Sequence, residues 1–223
     1  FYRIVETLRE RHPQVSFEAC AGGGARVDLG TLSRFEQFWP SDNTDPLDRL
    51  LIQDGYSYAY CAKAMMSWVT DSPNFVNGRA TPLSFRFAVA MMGSLGIGCD
   101  LNRLSREEVE ECAHWIARYK QIRETVQEGD LYRLHSPHYG PIAATQYVTR
   151  DGRHSVLFVT LTGGHFAHEL PVVRLCGLKE EARYSVEGFA EPKSGAYLMH
   201  LGIRFRLRGG DYQSVVCEVA RLD

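Results

Sequence analysis

Asp42 combines a residue type and a position that could do acid–base chemistry. It ends the short segment Phe38-Trp39-Pro40-Ser41-Asp42, three residues before a predicted helix start. In a β/α barrel, catalytic groups gather where the strands end, at the carboxyl edge. The same carboxylate could instead accept hydrogen bonds from its own loop as an Asx turn. The residues alone leave both interpretations of Asp42 open.

A second candidate for chemistry is Cys20 with the glycine run 22–24. Glycine allows backbone amides to approach a ligand closely, and it adopts φ values that other residues avoid. The run matches neither the GxGxxG pattern nor a phosphate loop, so a tight turn after a strand is the alternative. Cys20 could be a nucleophile, but no histidine lies nearby in sequence. A small packing residue at a strand end is the favoured alternative on the sequence alone.

The elements that must position these residues have clear local signals. Asp45-Pro46 predicts a helix start, because Asp45 can cap free amides and Pro46 has its φ preset for the first turn. Ser105 and Glu108 form the pattern of a capping box at the start of a long helix. His12-Pro13 predicts the end of a first helix. Short strands, turns and helices alternate from residue 1 to about 127, which indicates an α/β region.

A change of pattern near residue 130 predicts two domains, 1–130 and 131–223. The second contains short β-branched and aromatic runs, with hairpin turns at Asp151-Gly152 and 209–211 and an alternating strand at 202–208. We expect a C-terminal antiparallel β-sandwich there. A complete (β/α)8 barrel needs about 250 residues, so the first domain fits the second half of such a barrel better.

Composition limits the partners. The 223 residues are 44% hydrophobic and 23% charged with a formal charge of −2, which argues against nucleic acid and anionic membranes as partners.

The chain opens at Phe1 inside a helical pattern, so we expect that something precedes it. His165 and His168, three apart on a predicted strand, would point to opposite faces, so we expect no metal and no cofactor. The cysteines form no CxxC pair and are expected to be reduced thiols of a cytoplasmic protein; they are Cys20, Cys61, Cys99, Cys112, Cys176 and Cys217.

Three motifs carry a resemblance to a known family. Residues 18–30 are similar to E-x-C-x-G-G-G-x-R-x-D-L-G, and residues 39–53 are similar to W-x-S-D-[DN]-T-D followed by R-x-x-I-Q. A looser match runs from Asp71 to Phe87. The chain resembles the C-terminal portion of glycoside hydrolase family 36, the retaining α-galactosidases, along its whole length. The resemblance implies hydrolysis of terminal α-galactosides.

The resemblance also implies roles for the candidate residues. Asp42 matches the general acid/base, and Cys20 and Gly23 match positions that contact galactose. A retaining enzyme needs a second carboxylate as the nucleophile, about 5–5.5 Å from the first. The family carries that nucleophile in a K-x-D-x-N motif upstream, and no such motif occurs in this chain. We therefore expect the isolated chain to be inactive, and we expect the full-length form to be a homo-oligomer, as related bacterial enzymes are.

Departures from the family pattern leave the substrate open. Ala21 and Ala25 replace the usual Ser or Gly, Ser67-Trp68-Val69 replaces Gly-Ala-His, and Phe75 replaces a frequent His. Galactosyl transfer and α-N-acetylgalactosaminidase activity therefore remain alternatives, as does a non-catalytic carbohydrate-binding module. Trp39 and Trp68 could stack on a sugar ring or be part of the core.

Overall fold

The computed structural model describes residues 1–164, 172–207 and 210–222, so His165, His168 and part of the predicted 209–211 turn lie outside the described residues. Within them, no helix is long and apolar enough to span a membrane. The α-helices and strands, in chain order, are α1 (Tyr2–Arg11), β1 (Glu18–Ala19), α2 (Leu29–Leu32), β2 (Gln37–Phe38), α3 (Pro46–Ser57), β3 (Met66–Val69), α4 (Leu83–Ala90), β4 (Ser94–Ile97), α5 (Arg106–Glu128), β5 (Asp130–His135), β6 (Ile142–Val148), β7 (His154–Leu161), β8 (Arg183–Val186), β9 (Lys193–Ser194) and β10 (Gln213–Arg221).

The first four strands run parallel and follow one another in space in chain order. β1 pairs with β2, and β3 pairs with β4, both in parallel. A parallel bridge between Phe38 and Met65 joins the two pairs. Neighbouring parallel strands end at the same edge, so the residues that follow β1, β2 and β3 are brought together there.

The helix starts agree with the local signals. The Asp45 side chain caps α3 by accepting from the Asp48 amide at 3.0 Å, with Pro46 in the first turn. Ser105 and Glu108 form the predicted capping box of α5, and α1 ends next to His12. The apolar run 82–95 contains both α4 and the start of β4. Full burial hides the change from helix to strand in such a run.

The C-terminal region contains a six-stranded sheet in the order β5-β6-β7-β10-β8-β9, with antiparallel pairing throughout. The Asp151-Gly152 turn joins β6 to β7, as predicted, and Gly152 has φ +68°. β5 follows α5 almost directly, and β7 and β10 pair over eight residues. The antiparallel sheet therefore confirms the coarse prediction for this region.

Both faces of this sheet are covered. On one face, Tyr147, Val156 and Phe158 pack into the core that also contains α4 and α5. The Tyr147 hydroxyl donates to the Met92 carbonyl at 2.7 Å, directly after α4. On the other face, alternate residues such as Leu157 pack against irregular segments between residues 172 and 207. The two regions of the chain therefore share a core.

The strand predicted at 202–208 is wrong over its described part. Ile203 makes an isolated bridge with Val173, and residues 204–207 have no strand pairing. The alternation that prompted the prediction is nevertheless present, since Arg204 and Arg206 are exposed and Leu207 is buried. An irregular segment lying on an apolar surface produces the same alternation as a strand, even where no continuous strand pairing accompanies it.

Candidate functional site

The residues that follow β1 and β2 form the candidate site, and we call this edge the rim: residues 20–24 and 39–42. The pairing of Glu18 with Gln37 and of Ala19 with Phe38 makes the two strands end side by side. The Trp39 amide continues the ladder by donating to the Ala19 carbonyl at 3.0 Å. Cys20 therefore begins one half of the rim where Trp39 begins the other.

The glycine turn lies directly against the backbone next to Asp42. Gly23 has φ +73°, and a Cβ there would lie 2.8 Å from the Asp42 amide nitrogen and 3.0 Å from the Ser41 Cα. A Cβ on Gly24 would collide with the Pro40 carbonyl oxygen. Contacts this short require glycine, because the obstructing atoms are backbone. The glycine motif and the Asp42 motif thus form one surface, although Gly23 and Asp42 are nineteen residues apart in the sequence.

Asp42 presents its carboxylate to solvent at the rim. The residue is exposed, and the Trp39 indole nitrogen donates to its Oδ1 at 3.1 Å. Cys20 is an exposed free thiol, and the carbonyl of Cys20 accepts from Arg26 at 3.2 Å. The site thus presents one carboxylate, one thiol and a glycine turn on an open surface.

The loop between Asp42 and α3 is fixed by buried polar contacts. Asp45 is fully buried and forms an ion pair with Arg79. The Asn74 side chain donates to the Thr44 hydroxyl at 3.1 Å, and Thr70 donates to the same oxygen at 3.2 Å. These contacts connect the loop after β2 to the loop after β3. Asp42 therefore lies at the end of a loop with little freedom to move.

A buried cation lies beneath the rim. Arg49 on α3 is 3% exposed, its guanidinium lies 5.5 Å from the centre of the Trp39 ring, and it donates to the Met66 carbonyl at 2.5 Å. Burial lowers the pKa of Arg49 to about 10. Within the described part of the chain, no carboxylate forms an ion pair with Arg49, so carbonyls, the Gln53 amide and the Trp39 ring surround the charge.

The structure brings Gly23 and Asp42 into contact, and it places Cys20 at the same edge. Their roles in catalysis and sugar binding remain predictions. Sequence reasoning missed the contribution of Arg49 and the Trp39–Asp42 hydrogen bond. One signal was present, since Arg49 and Gln53 recur at helical spacing on the buried face of α3. Among the described residues, no cluster of three or more His, Cys, Asp or Glu is arranged to hold a metal ion.

Two family models match the chain. The model described as Melibiase matches residues 1–129, more than half of the chain. The model described as the glycosyl hydrolase family 36 C-terminal domain matches residues 142–219. The two matches follow each other in the order of the parallel-strand region and the antiparallel sheet.

Similar proteins carry related names. The chain is 42% identical over 208 residues to a probable alpha-galactosidase G of Aspergillus terreus, covering 93% of this chain and 29% of that relative. It is 38% identical over 214 residues to alpha-galactosidase Mel36A of Lactobacillus acidophilus, covering 96% of this chain and 29% of that relative.

Solved structures show the same fold. The GH36 alpha-galactosidase AgaB of Geobacillus stearothermophilus superposes with a TM-score of 0.95 at 35% identity, covering 99% of this chain and 30% of that one. A variant of AgaA from the same organism, in complex with raffinose, gives a TM-score of 0.96 at 34% identity, with 99% and 31% covered.

The chain thus spans just under a third of the length of these relatives. The match to the Melibiase model over more than half of the chain, followed by the family 36 C-terminal model, establishes the family. The chain belongs to glycoside hydrolase family 36.

Proposed function

We propose that this chain is the C-terminal part of an α-galactosidase, in which it supplies the second half of a catalytic (β/α)8 barrel and a C-terminal β-sandwich domain. Four parallel strands in chain order support the barrel half, since a doubly wound sheet reverses its strand order. The two-sided packing of the six-stranded sheet supports a layered second domain. We place the boundary between the two parts at residues 130 and 131.

The proposed substrates are terminal α-galactosides in oligosaccharides, hydrolysed with retention of configuration. Structures of relatives in complex with raffinose and stachyose support this substrate class. The observation that carries the proposal is the position of Asp42, an exposed carboxylate at the carboxyl edge of parallel strands and in contact with a glycine turn. Cys20 and Gly23 would contact the galactose there.

In the proposed mechanism, Asp42 is the general acid and then the general base. It gives a proton to the glycosidic oxygen while the bond from that oxygen to the anomeric carbon breaks. A nucleophilic carboxylate on the upstream part of the longer protein bonds to the anomeric carbon. Water then attacks the anomeric carbon, the bond from that carbon to the nucleophilic carboxylate breaks, and Asp42 takes the proton from the water. No step requires a cofactor. We expect this longer protein to act in the cytoplasm and to form a homo-oligomer.

The direct test is to compare the longer protein with residues 1–223 alone. We expect the longer protein to hydrolyse raffinose and p-nitrophenyl α-galactoside. NMR of the reaction should show galactose released first as the α anomer. We expect no turnover from residues 1–223. Activity of the isolated chain would contradict the requirement for an upstream nucleophile, and β-galactose as the first product would contradict retention. Turnover of α-N-acetylgalactosaminides would indicate α-N-acetylgalactosaminidase activity, and galactosylated products would indicate transfer. Sugar binding without turnover by the longer protein would favour a non-catalytic carbohydrate-binding module.

A further inference from the structure

The Asp42 carboxylate has one hydrogen-bond donor within the described residues, and it is the indole N–H of Trp39. The bond joins Trp39 Nε1 to Asp42 Oδ1 at 3.1 Å. The other oxygen, Oδ2, accepts no hydrogen bond in the described part of the chain. The two oxygens of an otherwise exposed carboxylate are therefore not equivalent.

The Trp39 ring is itself held from two directions. The guanidinium of Arg49 lies over the ring at 5.5 Å, and Arg49 is fixed by the Met66 and Ser41 carbonyls at 2.5 and 3.5 Å. Trp68 meets the Trp39 ring at a tilt of 62°, with centroids 5.0 Å apart. A cation on an indole face is attracted to the ring and favours the N–H as a donor. The indole therefore has a defined orientation before any ligand is present.

Trp68 is fixed in turn by the glycines of the neighbouring strand. Its partner across the β3–β4 ladder is Gly96, where a Cβ would collide with the Trp68 indole. A Cβ on Gly98 would lie 2.7 Å from the same ring. The glycines of β4 and the residue after it thus make room for a large ring at the site, although Trp68 itself is 39% exposed.

From these contacts we infer that Trp39 is the positioning residue for Asp42 and determines which carboxyl oxygen transfers the proton. Oδ1 accepts the indole N–H, so the acid proton resides on Oδ2, because a hydrogen on Oδ1 would face the indole hydrogen. In the first step the proton leaves Oδ2 for the glycosidic oxygen, and that oxygen keeps the electron pair of the broken bond. In the second step Oδ2 takes a proton from the attacking water. The inference rests on the proposed function, since it assigns a partner to the proposed acid.

Trp39→Phe tests the inference in the longer protein, because it keeps a ring between Arg49 and Trp68 and removes the N–H. Raffinose has a poor leaving group that needs the acid, whereas p-nitrophenol leaves without one. We expect kcat/KM on raffinose, which reports the step that breaks the glycosidic bond, to fall about 10- to 100-fold. We expect kcat/KM on p-nitrophenyl α-galactoside to fall by less than about threefold. A general loss of structure would lower both rates equally.

Trp115→Phe is the matched control. The Trp115 indole donates to Glu111 at the same distance of 3.1 Å on α5, away from the rim. We expect both substrates to be turned over at the wild-type rate by this variant. Equal losses on the two substrates in Trp39→Phe, or no loss on raffinose, would overturn the inference. Inactivity of the wild-type protein on both substrates would instead overturn the proposed function.

A second measurement covers the case in which Trp39→Phe does not fold. Hydrogen exchange of the indole N–H groups is followed by NMR in the wild-type protein and in Asp42→Ala. We expect the Trp39 indole to exchange faster in Asp42→Ala, with Trp115 unchanged. Unchanged exchange at Trp39 would show that the bond to Asp42 does not hold the indole, and the inference would be wrong.

Discussion

The parallel-strand region exposes polar residues after its short strands, whereas the C-terminal sheet buries most residues of long strands such as β7. In the first region, β1 and β2 are two residues long, and their ends present Cys20 and Asp42 to solvent. In the second, seven of the eight residues of β7 are buried, and both faces of the sheet are covered. Under the proposed function the rim carries the chemistry and the sheet contributes stability, and the shared core links the two. The predictions below test that division, in order of decreasing effect.

The largest difference should appear in thiol reactivity. Cys20 is exposed at the rim, whereas burial raises the pKa of Cys217 in the sheet to about 12. The raised pKa keeps Cys217 protonated near neutral pH, and only a thiolate reacts with a disulfide reagent. In residues 1–223 we expect Ellman's reagent to modify Cys20 at least about 10³-fold faster than Cys217. Mass spectrometry of peptides over time measures both rates. Comparable rates would show that the sheet opens readily.

The next effect concerns the proposed acid. In the longer protein, Asp42→Ala should lower kcat/KM on raffinose by about 10²- to 10⁴-fold, because the leaving oxygen receives no proton in the step that breaks the glycosidic bond. The loss on p-nitrophenyl α-galactoside should be much smaller, and the free energy of unfolding should stay close to that of the wild type, since Asp42 is exposed. Steady-state kinetics on both substrates measure the split. A loss of the same size on both substrates would count against the acid role.

Phe158→Ala should have the reverse profile. Phe158 is 1% exposed in the core shared by the sheet, α4 and α5. Its truncation should lower the free energy of unfolding of residues 1–223 by about 3–5 kcal/mol in a urea titration. The same substitution at Phe75, which is 76% exposed, should change it by less than about 0.5 kcal/mol. In the longer protein, the ratio of rates on the two substrates should stay at its wild-type value in folded Phe158→Ala.

The smallest effect separates two adjacent glycines at the rim. Gly23→Ala combines a positive φ with a collision against the Ser41–Asp42 backbone, and it should cost about 1–3 kcal/mol in unfolding free energy. Gly22 also has a positive φ, of +53°, but its Cβ would meet no atom within 4 Å. Gly22→Ala should therefore cost about 1 kcal/mol, from backbone conformation alone. Equal costs would mean that the two halves of the rim are not in close contact.

The sequence correctly predicted the helix caps and the hairpin turn, because these features depend on neighbouring residues. The cap at Asp45, the capping box at Ser105 and the turn at Asp151-Gly152 each depend on residues within four positions. Local hydrogen bonds and φ preferences are sufficient for such features, whatever the rest of the fold. The prediction at 202–208 failed because alternating burial says which side of a segment is covered, but not whether another strand pairs with it.

The contacts of the candidate site could not be predicted from the sequence without the fold. Gly23 must be glycine because Asp42 lies against it, and that contact exists only after β1 and β2 pair. The bond from Trp39 to Asp42 is close in sequence, yet the orientation of the indole depends on Arg49 and Trp68. No spacing rule predicts a ring held by a cation from a helix and by a second ring from another strand.

Rescue by azide tests the central claim, that Asp42 is the acid/base of a retaining α-galactosidase. Azide attacks a galactosyl intermediate without needing a general base, so it replaces water where the base is missing. With Asp42→Ala in the longer protein and p-nitrophenyl α-galactoside as substrate, we expect azide to raise kcat and to give α-galactosyl azide. The β-galactosyl azide would identify Asp42 as the nucleophile instead. Absence of any acceleration, in a variant that still turns over this substrate, would contradict the acid/base role.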